Sequence, residues 1–423
     1  MSKGAPDSFN LSAPAFWDEA ELYKEWHRIA DICNSCRLCF NLCPAFPALL
    51  DRIDELDGDP DRLSPADFTR VVNLCYGCKL CYVKCPYTPP HQYQLDFPRQ
   101  VIRSRAVRAR LHGITLQDRF LGMTDVIGRL GSLTAPLFNW ANRFPPQRWL
   151  MEKILGLDHS WRLPVYYRQT FAQWFRSRPR ASGVAADRKV ALFYTCTVNY
   201  SDPETGKAAV AVLEHNGVEV VCPEQRCCGM PAMDGGDMEA TVKAARFNVN
   251  SFLPYVRQGY DIVIPGPTCT FAFKQEYPLL LPSPETDEVA AHTFDLCEYL
   301  WLMHRQHLLK TDFVRNPGKV VYQVPCLLKA QNIGNPSYAL LQLIPGLELE
   351  MVDRCSGIDG TWGMKKQYRQ LSLQVAGRLL SAVQDAQPAV AVSDCPLAGM
   401  QIEQGTGVTA IHPVSILKQA YGL

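Results

Sequence analysis

Eight cysteines in two identical spacings constrain this chain more than any other feature. Cys33, Cys36, Cys39 and Cys43 run into Pro44, and Cys75, Cys78, Cys81 and Cys85 run into Pro86. Each run reads C-x2-C-x2-C-x3-C-P, the spacing that ligates paired [4Fe–4S] clusters. Three closely spaced thiolates wrap three irons of one cube, and the fourth, beyond a turn, reaches the other cube. One cluster is thereby assigned to Cys33, Cys36, Cys39 and Cys85. The other is assigned to Cys75, Cys78, Cys81 and Cys43. A zinc site needs four ligands, usually as C-x2-C pairs, and not two interlocking sets.

The totals narrow the setting. A chain of 423 residues can hold two or three domains, and 47% apolar with 20% charged residues is a globular balance. Net charge is +1, which gives no global argument for nucleic acid. Seventeen cysteines without an apolar leader in MSKGAPDSFNLSAPAFWDE favour metal ligation in a reducing compartment over disulfides. No stretch reaches the roughly 18 apolar residues of a membrane span. A cytoplasmic protein is expected, with peripheral attachment to the cytoplasmic face of the inner membrane left open.

Along the chain, residues 1–12 read as a disordered arm. Phe16, Leu22, Trp26 and Ile29 mark a helix over 15–32 that leads into Cys33. Residues 51–63, dense in Asp and Glu, read as a solvated connector. Ser64-Pro65-Ala66-Asp67 is an N-cap followed by proline at the first helical position, opening a helix whose buried face is Phe68, Val71 and Val72. Two helix-led motifs some forty residues apart indicate a helical two-cluster domain, similar to the iron–sulfur subunit of fumarate reductase, over residues 1–92.

Residues 93–184 change character. The stretch 93–180 carries 14 Arg and one Lys against four Asp and one Glu, and four of the eight tryptophans. Arg99, Arg103, Arg105, Arg108 and Arg110 predict a basic helix, followed by apolar clusters at roughly helical spacing. Three readings stand: a helix on an anionic membrane surface, a docking face for an acidic partner, or a helical linker with a solvated Arg face. No nucleic-acid-binding module accompanies the charge.

From about residue 185 strands and helices alternate, which implies mainly parallel sheets. The expected strands are 189–194, 218–221, 261–264, 319–324, 348–351 and 389–392. The expected helices are 203–215, 239–256, 337–343 and 365–383. The pattern repeats at a nearly fixed offset. Cys196 maps to Cys326, Cys227 to Cys355 and Pro267 to Pro396, at 130, 128 and 129 residues. Two copies of one α/β module, 185–315 and 316–423, therefore carry cysteines beyond the carboxyl ends of strands, where parallel sheets bind ligands.

Here the chain resembles the proteins with paired cysteine-rich "CCG" domains: heterodisulfide reductase catalytic subunits, lactate-utilisation and glycolate-oxidase iron–sulfur subunits, and the C subunits of anaerobic glycerol-3-phosphate dehydrogenase. The last resemblance rests on Val198-Asn199-Tyr200, Cys227-Cys228-Gly229-Met230-Pro231, Thr268-Cys269-Thr270-Phe271-Ala272-Phe273 and Cys355 through Gly363, with Glu403–Gly407 and His412-Pro413. The resemblance implies a metal centre on Cys196, Cys227, Cys228 and Cys269. The family pattern has five cysteines per module, which hold a non-cubane [4Fe–4S] cluster in heterodisulfide reductase. This chain departs from it: Gly266 replaces one cysteine in the first module, and Ser356 and Ala398 replace two in the second. Cys326, Cys355 and Cys395 then form an open-site cluster, a site shared across a pseudo-twofold, or a vestige.

Cys222 and Cys297 fall outside the repeat and read as small buried hydrophobes. His412 reads as structural, and Lys329 and His91 lie near cysteines, where they could tune a potential or simply be solvated. No dinucleotide fingerprint, P-loop or Ser/His/Asp constellation is present, so flavin or NAD chemistry is expected on a partner. The expectation is an α+β multidomain electron-transfer component of an oxidoreductase complex. It would carry iron–sulfur clusters, with further cluster or zinc binding in the CCG domains. It would pass electrons between a flavoprotein dehydrogenase or other redox partner and a quinone or soluble acceptor. The alternatives are a heterodisulfide reductase-like catalytic subunit and a soluble donor to a diiron peroxide-reducing protein.

Overall fold

The computed structural model describes residues 9–179 and 188–423. The chain divides into two compact units: residues 1–122 with 231–241, and residues 123–230 with 242–423.

Unit one is helical around its cysteines. The helix Glu19–Cys36 starts at Asp18, whose side chain accepts from Glu21 N–H, and stops where Arg37 turns left-handed. It therefore carries Cys33 and Cys36 on its last turn instead of ending before them. A separate short helix, Pro14–Trp17, precedes it. Most of the expected arm lies outside the described residues, but Phe9 is buried and packs edge-on against Phe16 at 5.3 Å. The expected acidic connector is partly helix. Ala45–Glu55 buries Phe46, Leu49, Leu50 and Ile53 at helical spacing while its acids face solvent. Pro65–Leu74 follows with the expected Ser64 cap, a full capping box with Asp67. Trp26 centres the core, stacked on Phe68 and edge-on to Phe97, with its indole N–H given to Ser104 Oγ at 2.8 Å.

The basic helix spans Phe97–His112; Arg99, Arg103 and Arg105 are buried or partly buried, while Arg108 and Arg110 are exposed. Arg103 is buried and donates to the carbonyls of Phe16 and Ala15 at 2.9 and 2.6 Å. Arg105 donates to Val72 O and Cys75 O, and also to Asp234 O. Arg99 pairs with Asp96, and Arg108 donates to Asn73. Arg103 and Arg105 thus serve backbone carbonyls left open at helix ends and turns.

Unit two holds two four-stranded parallel sheets. The first comprises β1 (Arg188–Leu192), β2 (Val218–Val221), β3 (Asp261–Ile264) and β4 (Thr293–Asp295) in the order β2-β1-β3-β4. The second comprises β5 (Lys319–Gln323), β6 (Glu348–Val352), β7 (Val390–Val392) and β8 (Ala410–Ile411) in the order β6-β5-β7-β8. The orders are the same, each centre strand pairing in parallel with both neighbours. β4 and β8 add to each sheet an edge strand that local sequence patterning does not announce. One apolar core runs through both modules, joining Val190, Leu192 and Val263 to Val320, Tyr322 and Val392. Helix Pro203–His215 packs on Pro413–Tyr421, and Leu296–Arg305 packs on Pro336–Leu341.

The middle helices Thr124–Leu133, Ala135–Arg143 and Pro145–Leu155 also belong to unit two. The first is turned inside out. Gly128, Gly131 and Ser132 are buried, whereas Val126, Leu130 and Leu133 are exposed. A Cβ on Gly128 would fall 2.2 Å from the Tyr200 ring, so only glycine permits this approach.

Candidate metal centres

Two of the cysteine groups lie in unit one. Cys33, Cys36, Cys39 and Cys85 line a single pocket together with Ile32, Phe46, Leu50, Tyr87 and Leu95. That apolar lining suits a compact cofactor held by a few polar groups. Burial pushes the Cys33 thiol up, and the charges of Cys39, Cys85 and Cys36 push it further. Cys39 is pushed up to about 11, by burial first and then by Cys85 and Cys36. Cys81 is raised by burial and then by Cys78, Cys75, Cys43 and Cys39. The structure thus gathers each expected set, and Cys39 lies close enough to Cys81 for the two sets to feel one another. Buried thiols with raised pKa values ionise when a cationic centre compensates them, which fits thiolate ligation. Lys79, left-handed at φ 61, is buried beside Cys78. His91 Nδ1 accepts from Tyr93 N–H, and its ring meets Tyr87 edge-on at 5.2 Å.

The first α/β module places its cysteines beyond the carboxyl ends of strands. Cys196 opens a short helix after β1, Cys227 and Cys228 follow β2, and Cys269 lies in Pro267–Phe271 after β3. Cys269 Sγ and Cys228 Sγ are 3.3 Å apart. Thiol hydrogen bonds from Cys196 and Cys228 hold Cys227 well below the ordinary thiol range, against the effect of burial, with Gly229 N–H adding to them. The same bonds, with burial, raise Cys196 and Cys228. The four thiols form one network. Thr195, before Cys196, sits at φ 58, strain of the kind that accumulates at functional sites. Gly266, where the family pattern has its fifth cysteine, would bring a Cβ to 3.3 Å from Thr195 Cγ2. Thr195 and a side chain at 266 thus compete for one space.

Residues that no sequence motif singles out hold this network in place. Asn248 is fully buried; its Nδ2 donates to Tyr277 Oη and Arg226 O, and its Oδ1 accepts from Arg226 N–H at 2.9 Å. Tyr277 in turn donates to Cys228 O at 3.0 Å. From the middle segment, Asp125 accepts from Cys227 N–H at 2.8 Å. Nothing in the local spacing of Asn248 or Asp125 marked them; each arrives from a distant element.

In the second module Cys326 opens a helix after β5, Cys355 follows β6 and Cys395 follows β7. Cys355 Sγ accepts from Gly357 N–H at 3.3 Å, in a turn where Gly357 takes φ 68 and a Cβ would fall 2.2 Å from Ser372 O. Cys326 Sγ lies 3.7 Å from Asp359 Oδ2. The two modules meet at their cysteine helices: Pro267–Phe271 packs on Cys326–Lys329, and Gln331 donates to Pro267 O. Lys329 pairs with Asp353. Cys297 is fully buried in the core, and Cys222 packs at its margin. His412 is buried and caps Pro413–Tyr421 through Nδ1, accepting from Val414 N–H.

Comparison with known proteins agrees with this layout. Residues 27–111 match the Citrate utilization protein B Fer4-like domain, and residues 190–274 and 320–403 each match the Cysteine-rich domain, CCG. The chain is 33% identical over 310 residues to the C subunit of the anaerobic glycerol-3-phosphate dehydrogenase of Escherichia coli K12, covering 72% of this chain and 77% of that one. It is 33% identical over 189 residues to lactate utilization protein A of Bacillus pumilus, covering 42% of this chain and 75% of that one. These domains and relatives make the chain an iron–sulfur protein of electron transport.

Proposed function

The chain belongs to the family of anaerobic glycerol-3-phosphate dehydrogenase C subunits, and on that footing we propose that it carries electrons from a flavoprotein dehydrogenase subunit to a quinone at a membrane surface. The observation that carries this reading is the gathering of Cys33, Cys36, Cys39 and Cys85 around one pocket, with Cys81 and its set near enough to interact. The clusters, when bound, accept and release single electrons, so a two-electron substrate oxidation on the partner is matched to a quinone that takes two electrons and two protons. The chain's own residues hold the thiolates, exclude water with Phe46, Leu50 and Leu95, and orient the Cys227-Cys228 turn through Asn248 and Tyr277. Flavin and nicotinamide chemistry is assigned to the partner.

Cys33, Cys36, Cys39 and Cys85 are the ligands we assign to one [4Fe–4S] cluster and Cys75, Cys78, Cys81 and Cys43 to the other. Cys196, Cys227, Cys228 and Cys269 are assigned a third centre. The reciprocal helix packing supports a pseudo-twofold between residues 185–315 and 316–423. Attachment to the cytoplasmic face of the inner membrane is supported by the exposed Leu130, Leu133, Leu137, Trp140 and Trp149 on the middle helices. Among the described residues no helix is long and apolar enough to cross a membrane.

The test is anaerobic metal quantification with EPR, followed by reoxidation of the dithionite-reduced chain with a water-soluble quinone. About eight irons belong to the two cubes, and the further iron or zinc of the first module should be lost in Cys228→Ser. About eight irons with no further metal, untouched by that substitution, would remove the third centre. A reduced chain that the quinone does not reoxidise would remove the electron-carrier reading.

A further inference from the structure

The helix Thr124–Leu133 has two unlike sides, and one of them lies on the thiol network of the first module. Asp125 Oδ2 accepts from Cys227 N–H at 2.8 Å. One turn on, Gly128 presses so closely on the Tyr200 ring that a Cβ would fall 2.2 Å from it, and Tyr200 closes the short helix that Cys196 opens. Gly131 and Ser132 are buried beyond it. At 3.6 residues per turn these four residues share one side, and Val126, Leu130 and Leu133, all exposed, share the other. Small residues thus seat the helix on the site, while the apolar side chains that a core helix turns inward face out.

Charge indicates what covers the outer side. Between residues 123 and 155 the acids are Asp125 and Glu152 alone. Asp125 is turned to Cys227, and Glu152 is buried against Lys366 and His159. The exposed charges of this stretch are Arg129, Arg143 and Lys153, beside the exposed Leu137, Trp140 and Trp149. Lys153 Nζ lies over the Trp149 ring at 3.6 Å. Leucine, tryptophan and cations with no exposed acid match the boundary of an anionic lipid layer.

We infer that this helix is the port between the first module and its acceptor. A lipid-dissolved quinone on the outer side draws electrons from the centre assigned to Cys196, Cys227, Cys228 and Cys269, and Asp125 is the positioning residue that fixes the helix to that centre. This rests on the reading of the chain as a carrier to a quinone at a membrane surface, and it adds where in the chain the electrons leave. A helix with its side chains is about 10 Å across, so an acceptor on the outer side is roughly that far from the Cys227 turn. Electron transfer weakens steeply with distance, which makes one helix thickness a favourable gap. The quinone takes two electrons from the reduced chain, one at a time, and two protons from water at the membrane surface. It leaves as quinol, and no bond to the chain forms or breaks.

The experiment uses the full chain, purified anaerobically and reduced with dithionite, as wild type, Cys228→Ser, Leu130→Asp, Asp125→Ala and Asp125→Asn. Iron and zinc are counted per chain, and the two cubes are followed by EPR. Reoxidation is timed with phosphatidylcholine–phosphatidylglycerol vesicles that hold a long-tailed benzoquinone, and separately with ferricyanide, which needs no membrane. Cys228→Ser should keep the EPR signals of the cubes and their reoxidation by ferricyanide, but lose reoxidation by the vesicle quinone. Leu130→Asp should keep its metal and slow the vesicle reaction about tenfold. Asp125→Ala should slow the vesicle reaction with metal retained, and Asp125→Asn, which keeps an acceptor for Cys227 N–H, should restore it. Cys228→Ser with intact cubes that still reduces the vesicle quinone at the wild-type rate overturns the port, while the carrier reading stands. So does a first module that holds zinc or no metal, and so does Leu130→Asp at the wild-type rate. Asp125→Ala at the wild-type rate removes the positioning role. A wild-type chain reoxidised by a water-soluble quinone but not by the vesicle quinone overturns the port alone, whereas failure with both also removes the carrier reading. Where Cys228→Ser does not fold, Leu130→Asp and the Asp125 pair decide.

Discussion

Asn248 shows how much one buried amide can organise. It serves both faces of the turn that carries Cys227 and Cys228, and it supports the tyrosine that holds Cys228 O. Asn248→Ala leaves Arg226 N–H and the Tyr277 hydroxyl without that partner in a dry environment. The expected loss is about 3 kcal/mol of stability by denaturant unfolding, with reduced metal retention in the first module. Tyr277→Phe removes one hydrogen bond and should cost only about 1 kcal/mol. A larger effect from Tyr277→Phe than from Asn248→Ala would contradict this hierarchy. At this scale the sequence was legible where chemistry is carried by cysteine. Asn248 and Asp125 were not legible, because an amide in a helix and an acid in the middle segment carry no spacing signal for a loop more than twenty or a hundred residues away.

At the scale of elements, the helix Pro145–Leu155 is tied to the second module through Glu152. Its carboxylate takes Lys366 Nζ at 2.8 Å and His159 N–H at 2.9 Å. Lys366, His159 and their hydrogen bonds hold it down at about 2. Because the folded value lies below the ordinary 4.5, this stabilisation is present above that pH and is lost as pH falls toward 2. Glu152→Gln should therefore lower the melting temperature at pH 7, by about 1–3 kcal/mol in stability. The gap to wild type should narrow in melts at pH 3 without closing. The middle helices make a second prediction. Leu133 and Leu137 are 77% and 66% exposed, so Leu133→Asp with Leu137→Asp should reduce flotation on anionic vesicles at least tenfold, given about 1.5–3 kcal/mol per buried leucine. Unchanged flotation would turn this face toward a protein partner instead.

Local signals explain which elements could be read. Pro203–His215 and Asp261–Ile264 were legible to the residue, since a proline start and a β-branched run each name their own structure. Ala45–Glu55 was hidden by its acids, although Phe46, Leu49, Leu50 and Ile53 already had helical spacing. β8 is two residues long and exists only because β7 offers an edge, which no local pattern records. Arg103 and Arg105 looked like part of a charged surface because their carbonyl partners come from other elements.

For the whole molecule, the repeat was legible as cysteine offsets, and the two sheets share one strand order. The shared core of the modules and the separate core around Trp26 predict two unfolding transitions, not one. Removal of iron by chelation under reducing conditions should shift the transition of unit one most. Six of its eight motif cysteines lie in or pack against its core, and metal binding there is coupled to folding. Hydrogen exchange should rise over residues 33–43 and 75–85 while β1, β3, β5 and β7 stay protected. Equal loss of protection in the sheets would argue against independent cores.

Unit one is discontinuous in the chain, because residues 231–241 belong to it. Gly236, at φ 84, lies so close to the helix Phe97–His112 that a Cβ there would come within 2.4 Å of Arg105 O. During synthesis the first 122 residues leave the ribosome long before this piece exists. Both cysteine motifs are then already made, yet the domain that carries them lacks its last segment until residue 241 has emerged. In a chain that folds as it is made, the packing of the relay closes only after β1, β2 and the Cys227-Cys228 turn have also been translated. A stop or frameshift between residues 122 and 231 would therefore leave all eight motif cysteines in an unfinished domain.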